Sequence, residues 1–321
     1  MAVNLMVLHK QYNTQAKCLE LLAQIRWNGV VKCTNCGKTN VREVKRQQKR
    51  YICKSCKTQF SVFTDTIFEG TRLGLPTWFH IIGSMLNAKT GISAKEIERS
   101  SGVTYKTAYY TCMRVRVGML MPESILEGMI EMDESYFGGK SKKQYKSIDD
   151  SQPTLAVPTL KRGRGTNKVS VVGMVERQGQ IKTKVVEKLT KRNLLAMLKA
   201  NAKKDNSILI TDGFKSYAEF DKYIEHLVIN HSKEYSRGII HVNTIEGFWS
   251  YVKNGIKGSY KAISKKYLPL YLCEFEFKYN HRNQSSDEFV LFLQNALGQE
   301  KELLYWKAKS TDKVKRIAYE H

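Results

Sequence analysis

Two Cys-x2-Cys pairs constrain this chain more than any other feature: Cys33 with Cys36, then Cys53 with Cys56, and sixteen residues between the pairs. Four thiols at that spacing form two knuckles able to clamp one tetrahedral Zn²⁺. A redox centre needs one such motif, not two alike. The intervening "VREVKRQQKRYIC" reads as strand, basic turn, strand, so the segment is expected to fold as a zinc ribbon. A structural zinc supplies on the order of 10 kcal/mol to a unit too small to bury a core of its own. The other cysteines, Cys18, Cys112 and Cys273, stand singly and read as small buried hydrophobes.

Charge points to the partner. The chain has 321 residues, with 53 Lys and Arg against 30 Asp and Glu, a net charge of +23. A surface so basic attracts polyanions, and nucleic acid is the commonest one inside a cell. Residues 1–70 alone hold twelve basic and four acidic residues, which makes double-stranded DNA the expected partner of the ribbon. No apolar run approaches the roughly 18 residues of a membrane span, and the N-terminus lacks the apolar core of a signal peptide. A cytoplasmic, nucleoid-associated protein with no membrane partner is expected, and disulfides are not.

Beyond the ribbon the pattern turns helical. "LPTWFHIIGSMLNAK" carries an apolar face and stops at Gly91. "SAKEIERSSGV" opens on Ser93 with Glu96 three residues later, a capping box. After a turn at Ser101-Gly102, Thr104 starts "TYKTAYYTCMRVRVGML". Helix, glycine turn and helix form a helix-turn-helix, and Tyr105, Lys106 and Thr107 sit where its second helix would meet DNA. An ordinary helical hairpin has the same pattern; the basic charge and the ribbon favour the DNA reader.

After Gly128 the sequence becomes strand-like. "MIEMDESYFGG" reads as a strand ending in glycines, followed by a basic loop over residues 140–168 that includes Lys161, Arg162 and Arg164. Then come a hairpin turning at Gln178-Gly179, a helix over "TKRNLLAMLKANAK", a strand "SILITD" and a strand "HLVINH". This order suits a mixed α/β sheet flanked by helices, the ribonuclease-H-like arrangement. Asp133 lies on the first of these strands and Asp212 ends the fourth, where solvated charge is not otherwise expected. In "HVNTIEGFWSYVKNGIKGSY", Ser250, Lys253 and Lys257 fall within about 40° of Glu246 on a helix, and Asn243 within about 60° of it. Ile245, Phe248, Trp249, Val252 and Ile256 form a separate apolar arc. Phosphoryl transfer on DNA asks for carboxylates on neighbouring elements that hold two hard divalent cations, Mg²⁺ or Mn²⁺. Glu134, beside Asp133 on a strand, points to the opposite face and is not counted as a ligand.

The ribbon cysteines, "FSVFTDTIFEGTRLGLPTWF", "KTGISAKEIERSSGVTYKTAYY", "EMDESYFGGK", "TDGFKSY", "HVNTIEGFWSYVKNGIKGSY" and "EFEFKYNHR" follow one another from about Arg26 to Arg282. In these motifs the chain resembles bacterial insertion-sequence transposases of the zinc-ribbon ISXO type, members of the DDE group with a ribonuclease-H-like core. The resemblance implies that Asp133 and Asp212 are metal ligands and that Lys253 contacts DNA near the cut, with Lys257 beside it. For the third ligand it leaves Glu246 and Asn243 open. Thirty-three residues separate Asp212 from Glu246, and a carboxylate binds Mg²⁺ more strongly than a neutral amide, so Glu246 is the expected ligand and Asn243 the alternative.

The expected organisation is an N-terminal helix and zinc ribbon over 1–70, a helix-turn-helix over 71–125, a catalytic domain over 126–283 and a helical tail over 284–321. The expected activity is nicking at the element's terminal repeats to leave 3′-hydroxyls, which then attack target DNA. Two ends must be held together, so at least a dimer is expected. A DNA-binding regulator with an inactive core, or a nuclease that cuts without joining, would use the same parts. Metal-independent binding without cutting marks the first, and cutting without joining marks the second.

Overall fold

A computed structural model describes residues 3–44, 49–121, 124–138, 168–229, 240–283 and 287–298. The tip of the predicted basic turn in the ribbon and nearly all of the basic loop, with Lys161, Arg162 and Arg164, lie outside the described residues.

The predicted apolar strand is β4 (Leu126–Phe137), and it occupies the centre of a five-stranded sheet. β5 (Val169–Glu176) pairs with it antiparallel, and β6 (Ile181–Val186) closes the hairpin, turning at Gln178, whose φ is +62°. On the other side β7 (Ala202–Asp212) runs parallel to β4, and β8 (Glu225–Ile229) runs parallel to β7. The order β6-β5-β4-β7-β8 is therefore mixed, with a crossover through α6 (Lys191–Asn201) between β6 and β7. This is the ribonuclease-H-like layout expected from the order of the segments.

Strand alternation divides the core in two. Even-numbered Ile130 and Met132 of β4 pack with Val172, Met174 and the α6 residues Leu194, Met197 and Leu198. The opposite face brings Phe137, Val171, Val175 and Ile210 against α7 (Asn243–Gly255), through Ile245, Phe248, Trp249 and Val252. The apolar arc read on this helix is thus its buried side. The α-helical winding does not run on to Lys257, however. Residues Ile256–Tyr260 form a wider π-turn, a local irregularity that recurs at functional places in helices.

The N-terminal part has its own core. Helices α1 (Leu5–Gln11) and α2 (Gln15–Trp27) precede the ribbon strands β1 (Val41–Glu43), β2 (Arg50–Cys53) and β3 (Gln59–Ser61), an antiparallel trio in that order. Sequence pattern had indicated two strands; the third is the short "QFS" after the last cysteine. Trp27 stands edge-on to Tyr51, and Tyr51 stacks on Phe60, which ties α2 to the ribbon sheet. The helices α3 (Leu75–Asn87), α4 (Ala94–Ser101) and α5 (Tyr105–Gly118) continue the same cluster. Also in it are residues of α8 (Leu268–Asn280) and α9 (Glu288–Leu297), the helix predicted from "EFVLFLQNAL". Phe292 and Ala296 crowd Gly118, so the C-terminal helix is packed into the N-terminal helices.

Among the described residues no helix is long and apolar enough to cross a membrane.

Candidate active site

The parallel pairing of β4 and β7 sets Met132 opposite Thr211, so the next residues, Asp133 and Asp212, stand side by side at the ends of adjacent strands. Strands in a sheet lie about 4.8 Å apart. Both carboxylates belong to the α7 face, since Asp133 follows the parity of Phe137 and Asp212 that of Ile210. Asp212 also accepts the backbone N–H of Phe214 at 3.0 Å, which folds the chain away immediately after the strand.

Glu246 reaches the same place from α7. A cleft of about 470 Å³ is lined by Asp133, Ser135, Glu246, Ser250, Lys253 and Asn254, among others. Glu246, Ser250 and Lys253 are exposed, one helical turn after another, as their spacing required. Asn243, the first residue of α7, is exposed, and neither it nor Asp212 is among the residues lining this cleft. Lys257 is exposed on the π-turn beyond it.

The electrostatics register the crowding of acids. Partial burial pushes the Asp133 carboxyl up to about 7, assisted by the negative charges of Glu134, Asp212 and Glu246, while the backbone N–H of Glu134 pulls the other way. Burial leads in making this acid reluctant to ionise, and the neighbouring carboxylates add to it. The donor set suits a hard divalent cation: two aspartates at adjacent strand ends, and a glutamate on the facing helix. Ser135 Oγ and Trp249 Nε1, buried in the wall of the same cleft, find no hydrogen-bond partner among the described residues. Among the described residues the three acids do not close to the 4.8 Å mutual separation reached by the four ribbon cysteines.

Two acids next to Asp133 have other duties. Glu134 points to the α6 side, as alternation predicts, and accepts the Tyr217 hydroxyl at 2.8 Å. Glu131 is a further acid, not among the candidates drawn from sequence spacing. It is fully buried on the Asp133 face and accepts the backbone N–H groups of Thr244 and Ile245 at 2.9 and 3.0 Å, together with the Thr244 hydroxyl at 2.9 Å. Arg177 Nε donates to it at 2.7 Å. The signal was available: an acid within the apolar "MIEMD", two residues before Asp133, must share its face of the strand.

At the ribbon, each knuckle carries a left-handed residue just after its second cysteine, Gly37 at φ +70° and Lys57 at φ +62°. The N–H groups of Gly37 and Lys57 bond back to the carbonyls of Cys33 and Cys53, both at 2.9 Å. The sulfurs of Cys33 and Cys56, and of Cys36 and Cys53, are 3.6 Å apart. With Zn–S bonds of about 2.3 Å, a tetrahedron has edges of about 3.8 Å. The quartet fits Zn²⁺ as a structural ion. Hydrogen bonds from the side chain and backbone of Thr58 draw the Cys56 thiol down to about 5, towards the thiolate a metal needs.

The helix-turn-helix is formed by α4 and α5. Ser93 accepts the N–H of Glu96 at 3.1 Å, Gly102 closes α4 at φ +70°, and Thr104 caps α5 by accepting the Thr107 N–H. Tyr105 and Lys106 are exposed at the start of α5, and Thr107 is half-buried. Lys95 Nζ lies 5.9 Å from the centre of the Tyr105 ring.

Comparison with known proteins gives two matching family models. Residues 125–280 match the ISXO2-like transposase domain, and residues 13–59 match the transposase zinc-ribbon domain. A protein of the transposable element ISH50 from Halobacterium salinarum is 29% identical over 277 residues, which covers 84% of this chain and 92% of the relative. Among solved structures, the Mos1 strand transfer complex is 13% identical with a TM-score of 0.24, covering 63% of this chain and 75% of its own. A pre-cleavage Mos1 transpososome is 11% identical with a TM-score of 0.27, covering 99% of each chain. Likenesses that slight leave the assignment to the family models and the strand order.

Proposed function

We propose that this chain, whose segments 13–59 and 125–280 match the transposase zinc-ribbon and ISXO2-like transposase domains, is a DNA transposase that nicks the terminal repeats of its own element and transfers the resulting 3′-hydroxyls to target DNA. The observation that carries this reading is the cleft shared by Asp133, Glu246 and Lys253, with Asp212 set beside Asp133 by the register of the parallel strands.

Asp133, Asp212 and Glu246 would hold the catalytic divalent cations, with Glu246 preferred to Asn243 as third ligand because it shares the cleft with Asp133 and a carboxylate binds Mg²⁺ more strongly than an amide. Mg²⁺ or Mn²⁺ bound there would supply the acidity of the attacking oxygen and the charge that neutralises the phosphate in transfer. The remaining tasks fall to the chain itself. Lys253, exposed on the cleft one helical turn past Ser250, binds the phosphodiester next to the reacting bond. Ser250 and Asn254 offer hydrogen bonds along the same wall. The Asp133 carboxyl, pushed up to about 7, is about half protonated at neutral pH, and a bound cation would favour its ionised form. The ribbon and Tyr105, Lys106 and Thr107 on α5 engage duplex DNA, and Lys257 extends the basic surface from Lys253. Lys161, Arg162 and Arg164 add to that charge. Synapsis of two element ends calls for at least a dimer.

The test is Mg²⁺-dependent nicking and joining on labelled duplexes taken from the DNA flanking the coding sequence, with Asp133→Ala and Asp212→Ala beside the wild type. The reading expects products from the wild type only, with DNA binding retained by both variants. Tight binding by the wild type without cleavage in Mg²⁺ or Mn²⁺ would overturn it in favour of a DNA-binding regulator.

A further inference from the structure

α7 carries Glu246 and Lys253 to the cleft, yet it begins without a cap of its own. The residue before it, Val242, supplies no side-chain hydrogen bond, and the first turn exposes backbone N–H groups that an isolated helix would leave to water. The N–H of exposed Asn243 turns to His241 Nδ1 at 3.4 Å, and those of Thr244 and Ile245 turn to the sheet, where Glu131 of β4 satisfies them. One carboxylate oxygen accepts the N–H groups of both Thr244 and Ile245; the other accepts the Thr244 hydroxyl and Arg177 Nε. Arg177 is fixed in turn: Nη2 donates to the His241 carbonyl at 2.8 Å, and its own backbone N–H donates to the Met129 carbonyl at 2.9 Å. His241 Nδ1 stands 3.4 Å from the Glu131 carboxylate. A buried negative charge at a helix N-terminus is favourable both for the dipole and for the orphan donors.

We infer that Glu131 is a positioning residue for catalysis: a carboxylate on the strand of Asp133 that caps α7 from outside and so sets the register of Glu246 and Lys253 against Asp133 and Asp212. Glu131 and Asp133 are two residues apart on one strand face, so one rigid segment carries both a member of the acidic cleft and the clamp on the helix opposite. The inference rests on the transposase reading for its catalytic consequence. Its structural content, the hold on α7, stands apart from it.

Glutamine tests the clamp well. It has the shape of glutamate, but only one of its two terminal atoms accepts hydrogen bonds. Either orientation turns an NH₂ group towards a donor, towards Arg177 and the Thr244 hydroxyl or towards the N–H groups of Thr244 and Ile245. Glu131→Gln would be made in the full-length zinc-loaded chain, with Arg177→Lys as the milder companion should the first variant fold poorly. Hydrogen–deuterium exchange would report the first turn of α7, and single-turnover joining would report the consequence. Exchange over residues 243–247 is expected to quicken about tenfold or more while β5 stays protected. Joining is expected to fall on the order of 10- to 100-fold, as for a catalytic group displaced by a fraction of its reach. DNA binding should fall much less than joining, since the ribbon and α5, away from α7, supply most of the proposed duplex contacts.

Arg177→Lys should move both readouts in the same direction and by less. Unchanged exchange would overturn the inference. So would faster exchange with wild-type joining below the melting temperature, which would make Glu131 a structural cap only. An inactive wild type whose Glu131→Gln variant still loosens α7 would sink the transposase reading and leave the clamp in place.

Discussion

Removing the charge of Glu274 should cost more stability than any surface substitution in this chain. Glu274 on α8 is fully buried, and so, almost, is Arg116 on α5. Arg116 Nε donates to Glu274 at 2.8 Å, the Tyr260 hydroxyl at 2.8 Å and Lys278 Nζ at 2.7 Å. Lys278 also donates to the Ala88 carbonyl, and Arg116 lies 4.0 Å from the centre of the Tyr271 ring. One carboxylate therefore ties together α5, α8, the loop after α3 and the π-turn that ends α7. Glu274→Gln leaves two buried cations facing an amide. Breaking a buried pair from one side costs about 3–5 kcal/mol, because the stranded charge cannot be rehydrated. Urea unfolding followed by circular dichroism near pH 7 measures the difference. Arg116→Met/Glu274→Leu/Lys278→Met, which removes all the charges, should recover most of the loss. Burial alone would raise the Glu274 carboxyl, but Lys278 and Arg116 outweigh it and hold it below its ordinary value. Its contribution is thus present above about 4.5, fading as pH falls through its lowered folded value. Glu274→Gln should lack this acid-sensitive component. A loss under about 1 kcal/mol at pH 7, or a triple variant no better than the single, would refute the reasoning.

Other consequences are as direct. A Cβ at Gly173 would lie 2.6 Å from Trp249 Cζ2 and 2.9 Å from Ile245 Cδ1, so Gly173→Ala should push α7 off the sheet. It should cost about 1–3 kcal/mol by overpacking and depress joining more than DNA binding, as read by unfolding curves and single-turnover assays. Chelating the zinc, or Cys36→Ser, should unfold the ribbon and loosen the helical cluster through Trp27, Tyr51 and Phe60; metal analysis should give one zinc per folded chain, with loss of tryptophan fluorescence on its removal. Burial pushes the Glu276 carboxyl up to about 7, against hydrogen bonding from Thr183 and the charge of Lys182. Its folded form keeps the proton that the unfolded chain loses near 4.5, so stability should decline between about pH 4.5 and 7. Glu276→Gln should flatten that limb in unfolding curves taken across the range.

The amphipathic division of α7, the paired aspartates at strand ends and the cysteine knuckles were legible because each is a local pattern with a fixed period or spacing. Glu246 and Lys253 needed only the helical repeat. The Cys quartet needed only its two gaps. Glu131 was harder, because its partners on α7 lie more than a hundred residues away and nothing in the local sequence names them. The π-turn at Ile256–Tyr260 was also invisible, since hydrophobic spacing alone carries an α-helix straight on to Lys257. Tyr260, which ends this turn, donates its hydroxyl to Glu274 inside the helical cluster and packs against Gly91. The seating of α9 among α2, α3 and α5 is a tertiary fact of the same kind. Sequence spacing showed a helix there, and the complementary surface belonged to segments near the other end of the chain.

The most direct measurement is strand transfer in Mg²⁺ on element-end DNA by Glu246→Gln and Asn243→Ala, with each variant first shown to bind that DNA as the wild type does. The cleft geometry predicts that joining is lost with Glu246→Gln and survives Asn243→Ala. Joining that survives Glu246→Gln and dies with Asn243→Ala would contradict the assignment of the third carboxylate, and with it the claim that this cleft is where the DNA is cut and joined.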